Sequence, residues 1–289
     1  MHKLDQQYYN LVRNILEDGI EENNQRTHSK IKVLLHRSIS YKIGYKIPIL
    51  GCRKIYPHVA AAEMAWACTG EQNTKFITEY SKMWKKFEDV PNKVIPAYGY
   101  RWRKYFGRDQ IKDAINTLKK DKSNRQVWIT AWDAGKDGLG SKIKYKNIPC
   151  PIGFSLNILN KKLNMSVYLR SSDVIVGLPY DILFYSFLLV AISKSLDIIS
   201  NQITFYLNHA HIYKSHYQIA EKIKKEYEYY KKTKKIKEEG IISFFIPTSN
   251  KIIKDIEINP KEYVEEIKNI SKERRPHIKQ YTPEIEAIL

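Results

Sequence analysis

The chain has 289 residues, with 49 Lys and Arg against 31 Asp and Glu, a formal charge of +18 and 43% hydrophobic residues. That balance excludes wholesale disorder and collagen-like or low-complexity architectures, and the length suits one large domain with an ordinary core. Three cysteines, Cys52, Cys68 and Cys150, form no CxxC pair and cannot all pair internally, which argues against a disulfide scaffold or a cysteine zinc module. The longest apolar run, Ile182 to Ile192, falls short of the roughly 20 residues a bilayer span needs. The start, Met1 to Gln7, has no apolar signal core, so the expectation is a soluble protein of the cytoplasm. The positive balance suits an anionic partner such as nucleic acid, a nucleotide or a polyanionic cofactor. Lysine enrichment on solvated faces explains the charge equally well, and Lys231 to Lys237 reads as an exposed helix end.

In chain order, Leu4, Tyr8, Leu11 and Ile15 recur at helical spacing and Gly19 offers a stop, which predicts an amphipathic helix over 4–18. Ile31 to Leu35 and Ile47 to Leu50 read as extended. Val59 to Cys68, apolar and alanine-rich, predicts a buried helix ending before Gly70, and Ile111, Ala114, Ile115 and Leu118 mark another helix. The period then changes. Gln126 to Trp132 is a strand candidate, and alternation through Phe154, Leu156, Ile158 and through Leu163, Met165, Val167, Leu169 predicts a hairpin turning at Asn160 to Lys162. Leu183 to Ile192 is apolar nearly all round, hence a buried helix. Ile203 to Leu207 reads as a short strand, with a helix from about His211 to Lys231. No repeat or linker interrupts the pattern, so one α/β (α+β) domain over 1–289 is expected, with 240–289 its least readable part.

Cys150 stands between Pro149 and Pro151 just before the hairpin, on a rigid turn rather than in a helix. An isolated cysteine is most often a small buried residue. The functional alternative is a thiolate nucleophile, which needs a nearby cation, and Arg170 at the far end of the hairpin is a candidate.

From Leu169 the chain runs Arg170-Ser171-Ser172-Asp173-Val174-Ile175-Val176-Gly177-Leu178-Pro179-Tyr180-Asp181. This stretch resembles the signature of the thymidylate synthase family, Gln-Arg-Ser-x-Asp followed by Gly-Leu-Pro-Phe-Asn, and Pro149-Cys150 resembles that family's nucleophile motif. Collinear likenesses extend through Asn24-Gln25-Arg26-Thr27, Glu63-Met64-Ala65-Trp66, Trp84, Tyr98-Gly99, Trp102-Arg103, Asn124-Arg125, Trp132 and His211-Ile212-Tyr213, covering about residues 5 to 218.

The resemblance implies a large mixed sheet with a buried central helix, in a homodimer whose sheets pack back to back. It makes 5,10-methylenetetrahydrofolate the co-substrate and a pyrimidine nucleoside monophosphate the acceptor, with no metal, membrane or nucleic acid involved. Cys150 is then the nucleophile that adds to carbon 6 of the base and makes carbon 5 a carbanion able to accept the one-carbon unit. Glu63 organises water and proton transfers, and Tyr98 lies near the proton leaving carbon 5. Arg26, Arg170, Ser171 and the second subunit's copy of Arg125 hold the phosphate. Ser172 and Asp173 belong to the nucleotide site, His211 and Tyr213 bond the sugar hydroxyl, and Trp84, Asp173 and Gly177 lie on the folate side.

Three positions depart from the family. Asp181 replaces the family's Asn, Pro151 replaces the His after the nucleophile, and Gln126 replaces the second arginine of the phosphate pair. An ionised carboxylate can only accept hydrogen bonds, which opposes uracil's carbonyl and suits cytosine's amine. The same Asn-to-Asp change distinguishes the deoxycytidylate hydroxymethylases of this family. The expected reaction is therefore conversion of dCMP to 5-hydroxymethyl-dCMP, as in bacteriophages that modify their DNA, which would place the protein in the host cytoplasm. Thymidylate synthesis on dUMP, dCMP methylation, CMP hydroxymethylation and a non-catalytic nucleic-acid-binding role stand as alternatives.

Overall fold

The computed structural model describes residues 3–25, 27–52, 55–233 and 243–274. The chain opens with α1 (Lys3–Asp18), whose buried stripe Leu4, Tyr8, Leu11, Val12 and Ile15 follows the predicted period. Strands β1 (Ile20–Asn24), β2 (Ser29–Lys42) and β3 (Lys46–Ile49) come next. Helix α2 (Pro57–Thr69) begins on a proline, which needs no N–H partner at a helix start. It ends on Gly70 at φ +64°, where a Cβ would lie 2.6 Å from that of Arg103. Next are α3 (Lys75–Tyr80), a 3-10 turn at Lys82–Phe87, and the short α4 (Tyr98–Tyr100), which runs into a π-helical turn at Arg101–Tyr105. Then come α5 (Gln110–Lys120), β4 (Trp128–Thr130), β5 (Pro151–Leu159), β6 (Lys162–Leu169) and β7 (Ser172–Asp173). The chain continues through α6 (Gly177–Ser195), β8 (Ile199–Tyr213), α7 (Tyr217–Thr233), β9 (Phe244–Pro247), α8 (Ile253–Ile258) and α9 (Pro260–Arg274).

Seven strands make one mixed sheet in the order β1-β2-β8-β6-β5-β4, with β7 beside β8. The β5–β6 hairpin turns where predicted, with Asn160 and Lys161 both at positive φ, the primed geometry that follows strand twist. Parallel pairing of β6 with β8 needs a crossover, and α6 supplies it. One sheet face, carrying Leu163, Met165, Val167, Leu169, Ile203, Phe205 and Leu207, is wholly buried under α6 and the helices around it. The opposite face is half solvated. There Tyr168 stacks on Tyr206 at 4.8 Å, Trp128 tilts against Tyr168 at 5.1 Å, and Trp128 and Tyr206 stay nearly half exposed.

Helix α6 is long and apolar enough to cross a membrane, yet it is the central helix of the fold, with 78% of its span buried in the chain. The helix expected from His211 begins only at Tyr217; residues 211–213 continue β8, paired to β2 through Val33–His211 and Ile31–Tyr213. Alternation fails there because Ala210, His211, Ile212 and Tyr213 are all buried, so the stretch gives no strand period. The tail, unreadable as sequence, returns to the core: β9 pairs with β3, and α9 packs on α2.

Candidate active site

The cleft lies where α2, α4, α6 and the turn before β5 converge, and it encloses about 680 Å³ counting its open mouth. Glu63, Trp84, Tyr98, Cys150 and Asp181 all line it, together with Phe184 and Tyr185. Five residues scattered over 119 positions of sequence thus meet in one place.

Local structure explains the convergence. Helix α2 is built from Ala60, Ala61, Ala62, Ala65 and Ala67, whose small side chains let α4 and α6 approach. Gly99 is required at the contact, since a Cβ there would sit 2.4 Å from the Cα of Ala67. That approach delivers the Tyr98 hydroxyl, which donates a short hydrogen bond to Glu63 Oε1. The Tyr98 ring is wedged against Trp84, Trp102 and Phe184. Trp84, on the 3-10 turn, forms a wall with Met83, Phe87 and Val94.

Cys150 is partly exposed and not in a disulfide. Its turn is clamped by Arg170, whose Nε donates to the Pro149 carbonyl at 3.0 Å and whose Nη2 donates to that of Ile148 at 2.7 Å. The backbone N–H of Arg170 donates to the Cys150 carbonyl at 2.9 Å. The cation that the sequence put at the other end of the hairpin is therefore a direct neighbour, because pairing Pro151 with Leu169 folds the two ends together. A second brace, absent from the sequence reading, is the fully buried ion pair of Arg101 with Asp137, which also receives the N–H of Asp133. It pins the loop leading to Cys150, and no motif or period announced it.

The carboxylates behave differently from the expectation. Burial pushes Glu63 up to about 7, only partly offset by the Tyr98 hydrogen bond and by the nearby Trp84 indole, which forms no full hydrogen bond. Burial, with the charges of Glu63 and Asp173 adding to it, pushes Asp181 up to about 8. That shift favours the protonated form, which presents one donor and one acceptor, over the acceptor-only carboxylate expected.

None of the other predicted residues that are described lines this cleft. Asp173 Oδ1 accepts from the N–H groups of Ile175 (2.9 Å) and Val176 (3.0 Å), holding the turn into α6. A Cβ on Gly177 would sit 3.9 Å from both Asp173 Cβ and Asp181 Oδ2, so its backbone borders the Asp181 carboxyl. Ser171 is partly exposed and Ser172 buried, and β7 pairs with β8 so that Asp173 faces His211. The His211 and Tyr213 rings meet edge to face at 5.1 Å. Arg125 is exposed on the segment entering β4, beside a separate polar groove lined by Arg108, Asp113, Asn124 and Gln126. Arg26 lies outside the described residues. Among the described residues no cluster of three His, Cys, Asp or Glu side chains is set to hold a metal.

The family model described as Thymidylate synthase matches residues 6–272. The chain belongs to the thymidylate synthase family. It is similar to the thymidylate synthase of Corynebacterium aurimucosum, 27% identical over 244 residues, which covers 82% of this chain and 89% of the relative. It is also 27% identical to that of Buchnera aphidicola subsp. Schizaphis graminum (75% and 82% covered) and 28% identical to that of Wigglesworthia glossinidia brevipalpis (73% and 80% covered). The chain is thus an enzyme of a family that carries out folate-dependent one-carbon transfer to a nucleotide.

Proposed function

We propose that this enzyme transfers a one-carbon unit from 5,10-methylenetetrahydrofolate to carbon 5 of dCMP, releasing 5-hydroxymethyl-dCMP. The observation that carries the reading is the Asp181 carboxyl, partly exposed in the same cleft as Cys150 and Glu63 and pushed up to about 8 by desolvation. Its neutral form donates to cytosine's ring nitrogen and accepts from the exocyclic amine. As the Cys150 sulfur bonds to carbon 6, the displaced electron pair moves toward the ring nitrogen, which takes the Asp181 proton. The carboxylate left behind then faces two donors. Uracil offers only a carbonyl oxygen for that proton, a far weaker base, so the same hand-over costs more.

Glu63, tuned near neutrality, suits the role of proton carrier, with Tyr98 fixing one of its oxygens. The wall of Met83, Trp84, Phe87 and Val94 fits an aromatic heterocycle, such as the pterin of the co-substrate. The co-substrate supplies the carbon at the formaldehyde oxidation level. Arg125, exposed and away from the cleft, suits a phosphate contact to a second subunit. The outward Trp128, Tyr168 and Tyr206 suit a back-to-back dimer that would carry it there.

The decisive experiment is the ratio of kcat/KM for dCMP over dUMP in wild type and Asp181→Asn, with mass spectrometry of each product. Wild type should favour dCMP, and the ratio should fall roughly 5- to 150-fold in the variant. The relatives' names favour a second reading, synthesis of thymidylate from dUMP. A wild type that prefers dUMP and converts it to a methyl product selects it.

A further inference from the structure

The mechanism leaves one polar group in the cleft unused. Tyr185 lies one turn beyond Asp181 on the same face of α6, and its side chain is 1% exposed. Its ring is packed edge-on or tilted against Trp102, Phe154, Phe184 and Phe205, so it cannot swing away. Its hydroxyl is buried and has no hydrogen-bond partner among the described residues, yet it lines the cleft. No hydrogen bond within the described chain reaches the Asp181 carboxyl either. A donor without an acceptor and a carboxyl without a donor therefore share one cavity, an arrangement that costs stability unless a bound molecule completes it.

We propose that Tyr185 is a positioning residue for Asp181: with nucleotide in the cleft, its hydroxyl donates to the Asp181 carboxyl, directly or through one bound water, and so fixes which carboxyl oxygen carries the proton that meets the base. The proposal rests on the reading of Asp181 as the base-contacting residue. The groups that face Asp181 are Glu63 from α2, Tyr98 from α4, Asp173 ahead of α6 and Tyr185 itself, with Cys150, on the turn before β5, lining the same cleft. Of these, Tyr98 is committed to Glu63, whereas the Tyr185 hydroxyl has no partner among the described residues. A hydrogen bond to the ionised carboxylate favours that form, so in the complex Tyr185 holds the Asp181 titration below where burial alone would leave it.

The test is Tyr185→Phe, which removes only the oxygen. Unliganded, the variant should melt at or above the wild-type temperature, because a buried hydroxyl without a partner is lost. With dCMP and methylenetetrahydrofolate, kcat should fall roughly 5- to 50-fold and the alkaline limb of its pH profile should move to higher pH. The limb is assigned by Asp181→Asn, in which it should vanish, and adding Tyr185→Phe to that variant should move nothing further. A limb that vanishes in Asp181→Asn but stays in place in Tyr185→Phe overturns the role of Tyr185 alone. A limb that persists in Asp181→Asn overturns the Asp181 reading and this proposal with it.

Discussion

The two halves of the site are built differently. On the base side, Glu63, Tyr98, Cys150, Asp181 and Tyr185 line one cleft supplied by a single chain, the two tyrosines buried and the other three partly exposed. On the phosphate side, Arg170 spends two donors on the Cys150 turn, and Arg125 stands exposed beside another groove. The base-side residues are thus brought together by the folded chain itself, whereas Arg125 stands exposed on the segment entering β4. Long apolar elements pack a carboxyl into place within one chain; a guanidinium on a surface loop has no such constraint.

The largest effect should come from the base side. Cys150→Ala should lower turnover on the order of 10⁴-fold or more while leaving nucleotide affinity near wild type, because the phosphate contacts are untouched. Release of tritium from carbon 5 reads this directly, and undiminished release in the variant would refute the nucleophile assignment.

A subunit exchange probes the phosphate side. Arg125→Ala and Cys150→Ala proteins, each inactive or nearly so, should regain about a quarter to a half of wild-type activity per hybrid when mixed, since one site of each hybrid dimer keeps both residues. Hybrids verified by differential tagging yet showing no recovery would return Arg125 to its own subunit's site and erase the contrast between the two halves. Tyr206→Lys on the outer sheet face should yield a folded but smaller species in sedimentation, with the same loss of activity, because a charge replaces the ring stacked on Tyr168.

The smallest effect is thermodynamic and belongs to the base side alone. In the unfolded chain both carboxyls lose their protons near about 4, but folded they hold them to about 7 for Glu63 and about 8 for Asp181. Between those limits the unfolded state binds fewer protons, so the contribution of these two groups to stability is fully present below about 4 and is lost as pH rises toward 8. Asp181→Asn removes one of the two groups, so its Tm should decline less steeply and exceed that of wild type at pH 8. Each kcal/mol is worth about 2–4 °C at this chain length. Parallel Tm curves from pH 5 to 8 for the two proteins would show that Asp181 is not held protonated by the fold.

Most helices were legible because their buried stripes repeat with the helical period: α1, α5 and the core of α6 fall within a few residues of the reading. The hairpin was legible because one face is buried and the other solvated. Strand β8 was only partly read, since burial on both sides at 210–213 removes the alternation that marks a strand. Tyr185 carried one faint signal, its place four residues after Asp181 on an apolar helix, while nothing in the sequence links Arg101 to Asp137 across 36 positions.

The sequence by itself determined the family and the α/β order of elements, because collinear motifs and hydrophobic periods are local properties of the chain. Only the tertiary structure decided that desolvation raises the Asp181 carboxyl to about 8, that Arg170 braces the Cys150 turn, and that Arg125 stands apart from the cleft. Those facts depend on how deeply a group is buried and which distant groups face it. Burial and long-range contact arise only when α2, α6 and the sheet close on one another, and no window of sequence contains them.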